Sequence, residues 1–271
     1  MKYTAGMELV SYLRDQVRLP ESSEVLAARY KSAVPYPHLI LDEVFPEELL
    51  RSLTEEMTLS DSKNWIHHDT ERINKYGSKS AIGLGETGFT LLSYLHSANF
   101  LYILSEVTGI WNLLPDPYLH GAGYSIIPPG GKFDVHADRN YDPQTSLTRR
   151  LAMIIYLNRD WRPEYGGQLE LWDKSASQCV AKVEPIFNRL ILMEIEDGNY
   201  HGIPKVVAPG GRSRHSFMVY YNTAGVPVGK EGGVHGSIYA PRCYEEESAI
   251  RKLAKNITPP ILFNYVRKKI V

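Results

Sequence analysis

From about residue 118 onward the apolar positions fall in short runs, many alternating with polar ones, and each run is closed by turn residues. The runs cover 123–127, 133–138, 151–157, 168–172, 178–183, 189–195, 201–207 and 214–222. Between them stand Asp142-Pro143, Arg162-Pro163, Gly166-Gly167, Glu184-Pro185, Asp197-Gly198 and Pro209-Gly210-Gly211. Proline lacks a ladder donor and glycine admits turn conformations, so these residues end strands. Short period-two runs bounded in this way predict β-strands. Eight of them in about a hundred residues predict a double-sheet jelly roll, a cupin-like barrel whose mouth can hold a small ligand.

The earlier part of the chain has another period. Residues 5–18 and 21–34 have helical character, and Tyr36-Pro37-His38-Leu39-Ile40-Leu41-Asp42 reads as a short strand. Pro46-Glu47-Glu48-Leu49-Leu50 opens a helix, with proline early and acids in the first turn. Residues 60–88 are polar and glycine-rich without a clean period, which predicts a long loop and a possible lid. Phe89, Leu91, Leu92, Leu95, Phe100, Leu101, Leu104 and Val107 are spaced for one helix or two against the outside of a sheet. Beyond Asn222, residues 229–236 read as loop, 245–256 as helix, and 259–262 as a tail packed back on the barrel. The organisation expected is mainly β with flanking helices. It is a single domain over 1–271: a helical flank and possible lid over 1–117, a double-stranded β-helix core over 118–225, and a C-terminal extension over 226–271.

Composition narrows the class of partner. A net charge of -1 gives no global field toward nucleic acid or an acidic membrane. The apolar run Leu190-Ile191-Leu192-Met193 is strand-sized and cannot cross a bilayer. The first residues lack the apolar core of a secretory signal, and Cys179 and Cys243 make no disulfide framework. A reduced, cytoplasmic setting is expected, one that suits ferrous iron.

The candidate chemistry centres on His136-Ala137-Asp138. On a strand, side chains two apart share a face, so one imidazole and one carboxylate project together. An H-x-D pair alone also fits a surface pair or a satisfied core histidine. His201 is the best third ligand, because it begins a strand where a jelly roll returns beside its second strand. Two histidines and one carboxylate on one side of a metal leave the opposite positions open, as in non-haem Fe(II) oxygenases. The turn at Ala208-Pro209-Gly210-Gly211 is expected to make a hairpin with Arg214 opposite Lys205. Lys205 is four residues, about 13 Å, along the strand from His201, which puts Arg214 on the inward face. There its guanidinium could fork onto the far end of a metal-chelating dicarboxylate. Arg212 shares the parity and is the rival, and Arg214, Ser216, Met218 and Tyr220 form the inward row.

Together 130–138, 151–158, Gly166-Gly167-Gln168-Leu169-Glu170-Leu171, and His201 through Arg214-His215-Ser216 resemble the Fe(II)- and 2-oxoglutarate-dependent oxygenases, in particular the prolyl-4-hydroxylase-like branch. The resemblance covers about 120–225 and extends weakly to 37–42. It implies iron held by His136, Asp138 and His201, and 2-oxoglutarate held by Arg214 with Ser216 in the family's R-x-S pattern. It also implies O2 as oxidant and ascorbate as a candidate reductant. The reaction implied is hydroxylation of a substrate C–H coupled to conversion of 2-oxoglutarate to succinate and CO2. The gap from His201 to Arg214 is longer than usual for the branch. A tyrosine that often touches the co-substrate is replaced by Ile127, with Tyr124 or Tyr156 as substitutes. Related halogenases lack the carboxylate ligand, so Asp138 favours hydroxylation.

Arg139, Asn140 and Tyr141 follow the ligand pair and are candidate substrate contacts at the mouth. Arg149-Arg150 could meet an acidic substrate or form a strand-edge pair, and His67-His68 could line a lid or sit in solvent. A small-molecule substrate is favoured. Alternatives are a peptidyl, prolyl-type hydroxylase with the same metal residues, and a non-catalytic cupin-like barrel in which Arg214 has no role.

Overall fold

The computed structural model describes residues 13, 15–17, 19–59, 62–116, 118–142, 144–225 and 235–240. The helices expected over 5–18 and 245–256, the loop over 229–236 and the tail at 259–262 lie largely or wholly outside them. In chain order the helices are α1 (Ser23–Ser32), α2 (Glu47–Leu59), α3 (Glu86–Leu95) and α4 (Ala98–Thr108). The strands are β1 (His38–Asp42), β2 (Trp65–Asp69), β3 (Asn74–Ser78), β4 (Leu114–Pro115), β5 (Gly123–Ile127), β6 (Phe133–Ala137) and β7 (Tyr141–Asp142). They continue with β8 (Leu147–Tyr156), β9 (Leu169–Trp172), β10 (Cys179–Val183), β11 (Arg189–Glu194), β12 (His201–Ile203), β13 (Arg214–Ala224) and β14 (Ile238–Tyr239).

The strands form two antiparallel sheets. The larger runs β1-β11-β8-β13-β5-β3-β2, with β4 beside β13 and β7 beside β8. The smaller runs β10-β9-β12-β6-β14. This is the mainly β, jelly-roll arrangement expected, a double-stranded β-helix. The sequence of β8 shows why the larger sheet is central. Leu151 to Tyr156 are all buried, without alternation, because one face looks into the barrel and the other is covered. The covering layer includes Leu50 and Leu53 of α2, Leu91 and Leu95 of α3, and Phe100 and Leu104 of α4, in one core with Phe217, Val219 and Tyr221 of β13. Each such side chain contributes roughly 1.5–3 kcal/mol on burial. By contrast β9 buries alternate residues, as expected for a sheet with one face on the core.

Two expectations need correction. Residues 60–88 are not a long loop: they contain the β2–β3 hairpin and the start of α3, and β3 pairs with β5 to extend the larger sheet. The 89–110 stretch, by contrast, is two helices as its spacing allowed, broken where the Ser97 hydroxyl accepts from Phe100 N and caps α4. The hairpin assumed between β12 and β13 is also absent. β12 ends at Ile203, Pro209–Gly211 is a single 3₁₀ turn, and Arg214 pairs with Ile127 of β5 rather than with Lys205.

Candidate metal centre

β6 and β12 are neighbours, with His201 directly across from His136. Asp138 follows β6 by one residue and keeps the face of His136. Its Oδ1 lies 3.3 Å from His136 Nε2 and its Oδ2 lies 3.8 Å from His201 Nε2. The three ligating atoms lie within 4.8 Å of one another, and all three residues are buried. β12 can come this close because Gly202 has no side chain: a Cβ there would stand 3.1 Å from the Val135 backbone.

The rings are aimed by the main chain. His136 Nδ1 donates to the Asp134 carbonyl at 2.8 Å, and His201 Nδ1 faces the Asn199 carbonyl at 3.3 Å. A carbonyl only accepts, so Nδ1 keeps the proton and the Nε2 lone pair faces the centre. His136 Nε2 is buried without a hydrogen bond, an unmet lone pair that a cation would satisfy. Burial pulls His201 down to about 4, with His136 acting the same way against Asp138. Burial alone would raise the Asp138 carboxyl, but His201, His136 and Arg149 outweigh it and hold it well below the usual carboxylate range. Two imidazoles and one carboxylate are a donor set for a divalent cation. Tyr220 donates to Asp138 Oδ2 at 3.2 Å, and the Arg149 guanidinium lies 4.0 Å over the Tyr220 ring.

Arg214, Ser216 and Tyr220 share one face of β13, so Arg214 lies along the row whose far end touches Asp138. Arg214 is 1% exposed. Its Nε donates to the Gly167 carbonyl at 2.7 Å, and its Nη1 donates to Ser216 Oγ at 3.4 Å. Nη2 is buried with no partner, and so is the hydroxyl of Tyr156, whose ring lies 4.9 Å under the guanidinium. Burial lowers the Arg214 pKa, yet a guanidinium stays charged. An open donor on a buried cation is a receptor for a carboxylate oxygen. Arg212 is elsewhere, donating to the Arg159 carbonyl at 2.5 Å and lying 5.7 Å from the Trp161 and Tyr165 rings.

Other expected residues separate. Tyr124 pairs with Phe217, which places it on the opposite face of the sheet from Arg214. Its hydroxyl bonds Glu56, and its ring stacks on Trp65, so Tyr124 does not join the site. Asn140 is engaged by Asp197 and by the His235 amide, and Tyr141 pairs with Thr148. Arg139 is partly buried at the end of β6, and Arg150 faces Glu194 at 3.7 Å. Sequence reasoning missed Phe133, stacked on His136 at 3.7 Å, and Tyr239, which β14 places opposite His136. It also missed Arg72 and Lys75, which lie in the stretch read as loop.

Residues 120–222 match the family described as the 2OG-Fe(II) oxygenase superfamily. Among solved structures, the chain is similar to a prolyl-4-hydroxylase of Pseudomonas putida, with 20% identity over 74% of this chain and 100% of that one and a TM-score of 0.53. It is similar to a prolyl hydroxylase from Trichoplax adhaerens in complex with a hypoxia inducible factor oxygen degradation domain peptide fragment. There the identity is 18%, the coverage 74% and 88%, and the TM-score 0.56. A third is HygX from Streptomyces hygroscopicus with nickel, 2-oxoglutarate and hygromycin B bound, at 12% identity, 75% and 92% coverage, and a TM-score of 0.50. These likenesses give the fold, and the matched segment contains all three candidate ligands and Arg214. Over this segment the chain is similar to the Fe(II)- and 2-oxoglutarate-dependent oxygenases.

Proposed function

We propose that His136, Asp138 and His201 hold Fe(II), that Arg214 with Ser216 and Tyr156 receives the far carboxylate of 2-oxoglutarate, and that the enzyme hydroxylates a C–H bond of a small molecule. The observation that carries this is the pairing of two unmet buried valences in one barrel: the His136 Nε2 lone pair and the Arg214 Nη2 donor. One suits a cation and the other an anion, and a chelating 2-oxo dicarboxylate joins them. When bound, iron and 2-oxoglutarate supply the oxidation, in which O2 is consumed, CO2 and succinate are released and one oxygen atom enters the substrate C–H bond. The chain's own part is to hold the imidazoles as neutral ligands, to fix Asp138 through Tyr220, and to neutralise a carboxylate away from water.

HygX binds hygromycin B, a small molecule, on a similar fold. The Trichoplax relative holds a peptide fragment, which supports a second reading as a peptidyl hydroxylase with the same metal residues. Anaerobic titration with Fe(II) and 2-oxoglutarate tests the common core. A visible metal-to-ligand charge-transfer band is expected, absent in His136→Ala. Arg214→Ala should raise the 2-oxoglutarate concentration for half-saturation by about thirtyfold or more, because truncating one partner of a buried charge pair costs at least ~2 kcal/mol. A wild-type protein without the band, or an Arg214→Ala variant with unchanged affinity, defeats the assignment.

A further inference from the structure

The centre contains a cation that the oxygenase reading leaves unused. Lys75 of β3 is partly buried, and its Nζ stands 5.2 Å over the ring of Phe133. That ring stacks on His136 at 3.7 Å. Burial lowers the pKa of the Lys75 amine, with Asp138 opposing the shift and Arg214 and Arg149 adding to it, so the amine lies within electrostatic reach of both halves of the site. Among the described residues Lys75 has no hydrogen-bonded or ion-paired carboxylate. Three residues earlier, Arg72 lies 4.8 Å over the ring of Tyr239, and its Nη1 is buried with no partner. Tyr239 is 6.3 Å from Phe133 and 5.8 Å from His136. Two cations with open donors therefore flank one aromatic pair that lies against a candidate metal ligand.

Charge balance separates these cations from the rest. In the loaded site, iron and Arg214 are offset by Asp138 and the two carboxylates of 2-oxoglutarate. Arg149 is engaged by the His120 carbonyl and by the Tyr220 ring. On the Phe133–Tyr239 side, Lys75 and Arg72 remain. A desolvated ammonium without a counter-charge is unfavourable, and cation–π contact with Phe133 compensates only in part. An anion on the incoming molecule completes the balance.

We propose that Lys75, with Arg72 as a second donor, binds a carboxylate of the substrate, so that the substrate class is a small carboxylic acid presented to the metal from the Phe133–Tyr239 side. This rests on the oxygenase reading above. Phe133 and Tyr239 give the apolar surface on which the carbon skeleton would lie, and the short path from Lys75 through Phe133 to His136 limits how far the carboxylate can be from the reacting carbon.

The test uses the anaerobic enzyme loaded with Fe(II) and 2-oxoglutarate. A panel of aliphatic and cyclic carboxylic acids and their matched primary amides is titrated in, and the perturbation of the charge-transfer band and the melting temperature are followed. Acids should bind about tenfold tighter than their amides, the worth of one charge-assisted hydrogen bond. Lys75→Met should abolish that preference while the half-saturating 2-oxoglutarate concentration stays within about twofold of wild type. Lys75→Arg should retain it, and band formation in each variant reports an intact site. A normal band with no response to the panel, equal binding of acids and amides, or a preference that survives Lys75→Met overturns the inference and leaves the oxygenase reading standing. Loss of 2-oxoglutarate affinity in Lys75→Met overturns it too, by assigning Lys75 to the co-substrate. Absence of the band in wild type removes both.

Discussion

His136 and His201 each give Nδ1 to a backbone carbonyl, and that local bond decides which nitrogen faces the centre. Asp138 has a comparable restraint in the Tyr220 hydroxyl. Partners behind a metal ligand typically change affinity ten- to a hundredfold, so Tyr220→Phe should weaken Fe(II) binding by about tenfold while leaving the ring packing in place. Competition with a chelating dye reads this directly, and unchanged affinity would show that the hydroxyl does not position Asp138. Gly167 is the corresponding restraint on Arg214. Its φ is +72°, and a Cβ there would stand 3.1 Å from Arg214 Cδ. Gly167→Ala should raise the half-saturating 2-oxoglutarate concentration by about tenfold, since backbone strain of ~1–2 kcal/mol adds to displacement of the guanidinium. At this scale the sequence was informative. Period two puts His136 and Asp138 on one face wherever the strand lies. Arg214 was reached through a register that does not exist, and its face is set by parity along β13, not by pairing with Lys205.

The pairing of β6 with β12 converts one local pair into a three-residue centre. Its weak point is Gly202, where any side chain presses on the Val135 backbone. Gly202→Ala should part the strands by a few tenths of an ångström, lower Fe(II) affinity by about tenfold and lower Tm by a few degrees, because a metal site tolerates little displacement of its ligands. A variant with wild-type Fe(II) affinity in calorimetric titration would show that the approach is not restrictive. The elements missed have a common cause. Trp65–Asp69 and Asn74–Ser78 carry few apolar residues, and β2 is mostly exposed, so no hydrophobic alternation announces the hairpin. Its strand character comes from pairing with β5. Tyr124 was misassigned for a related reason: spacing brought it near the right strand, but pairing with Phe217 decides its face.

The molecule as a whole buries several histidines, and this sets its response to acid. His96, its ring edge-on to Tyr221, has a buried Nε2 without a partner, and burial pulls it down to about 4. In the unfolded chain it titrates near 6.5. Between those values the unfolded state binds a proton that the folded state refuses, so stability is full above about pH 6.5 and falls as pH drops toward 4. Burial lowers His38 and His215 in the same direction. Urea midpoints measured from pH 7 to pH 4 should decline, and the decline should be shallower in His96→Leu. Equal slopes in the two proteins would show that His96 does not contribute. Among the described residues no helix is long and apolar enough to cross a membrane.

By itself the sequence determined that the second half is a run of short strands, and which residues on a strand share a face. Both follow from local steric rules: turn residues end strands, and side chains alternate. That was enough to put His136 and Asp138 on one face as candidates, while His201 and Arg214 rested on an assumed return of the chain. The tertiary structure decided which strands became neighbours, hence that His201 stands across from His136, that Tyr156 and not Tyr124 lies under Arg214, and that Lys75 and Arg72 lie on the Phe133 and Tyr239 rings. Those choices depend on pairing between segments far apart in the chain, where the free energy of burying both sheets together outweighs any local preference, and no period in a single segment encodes them.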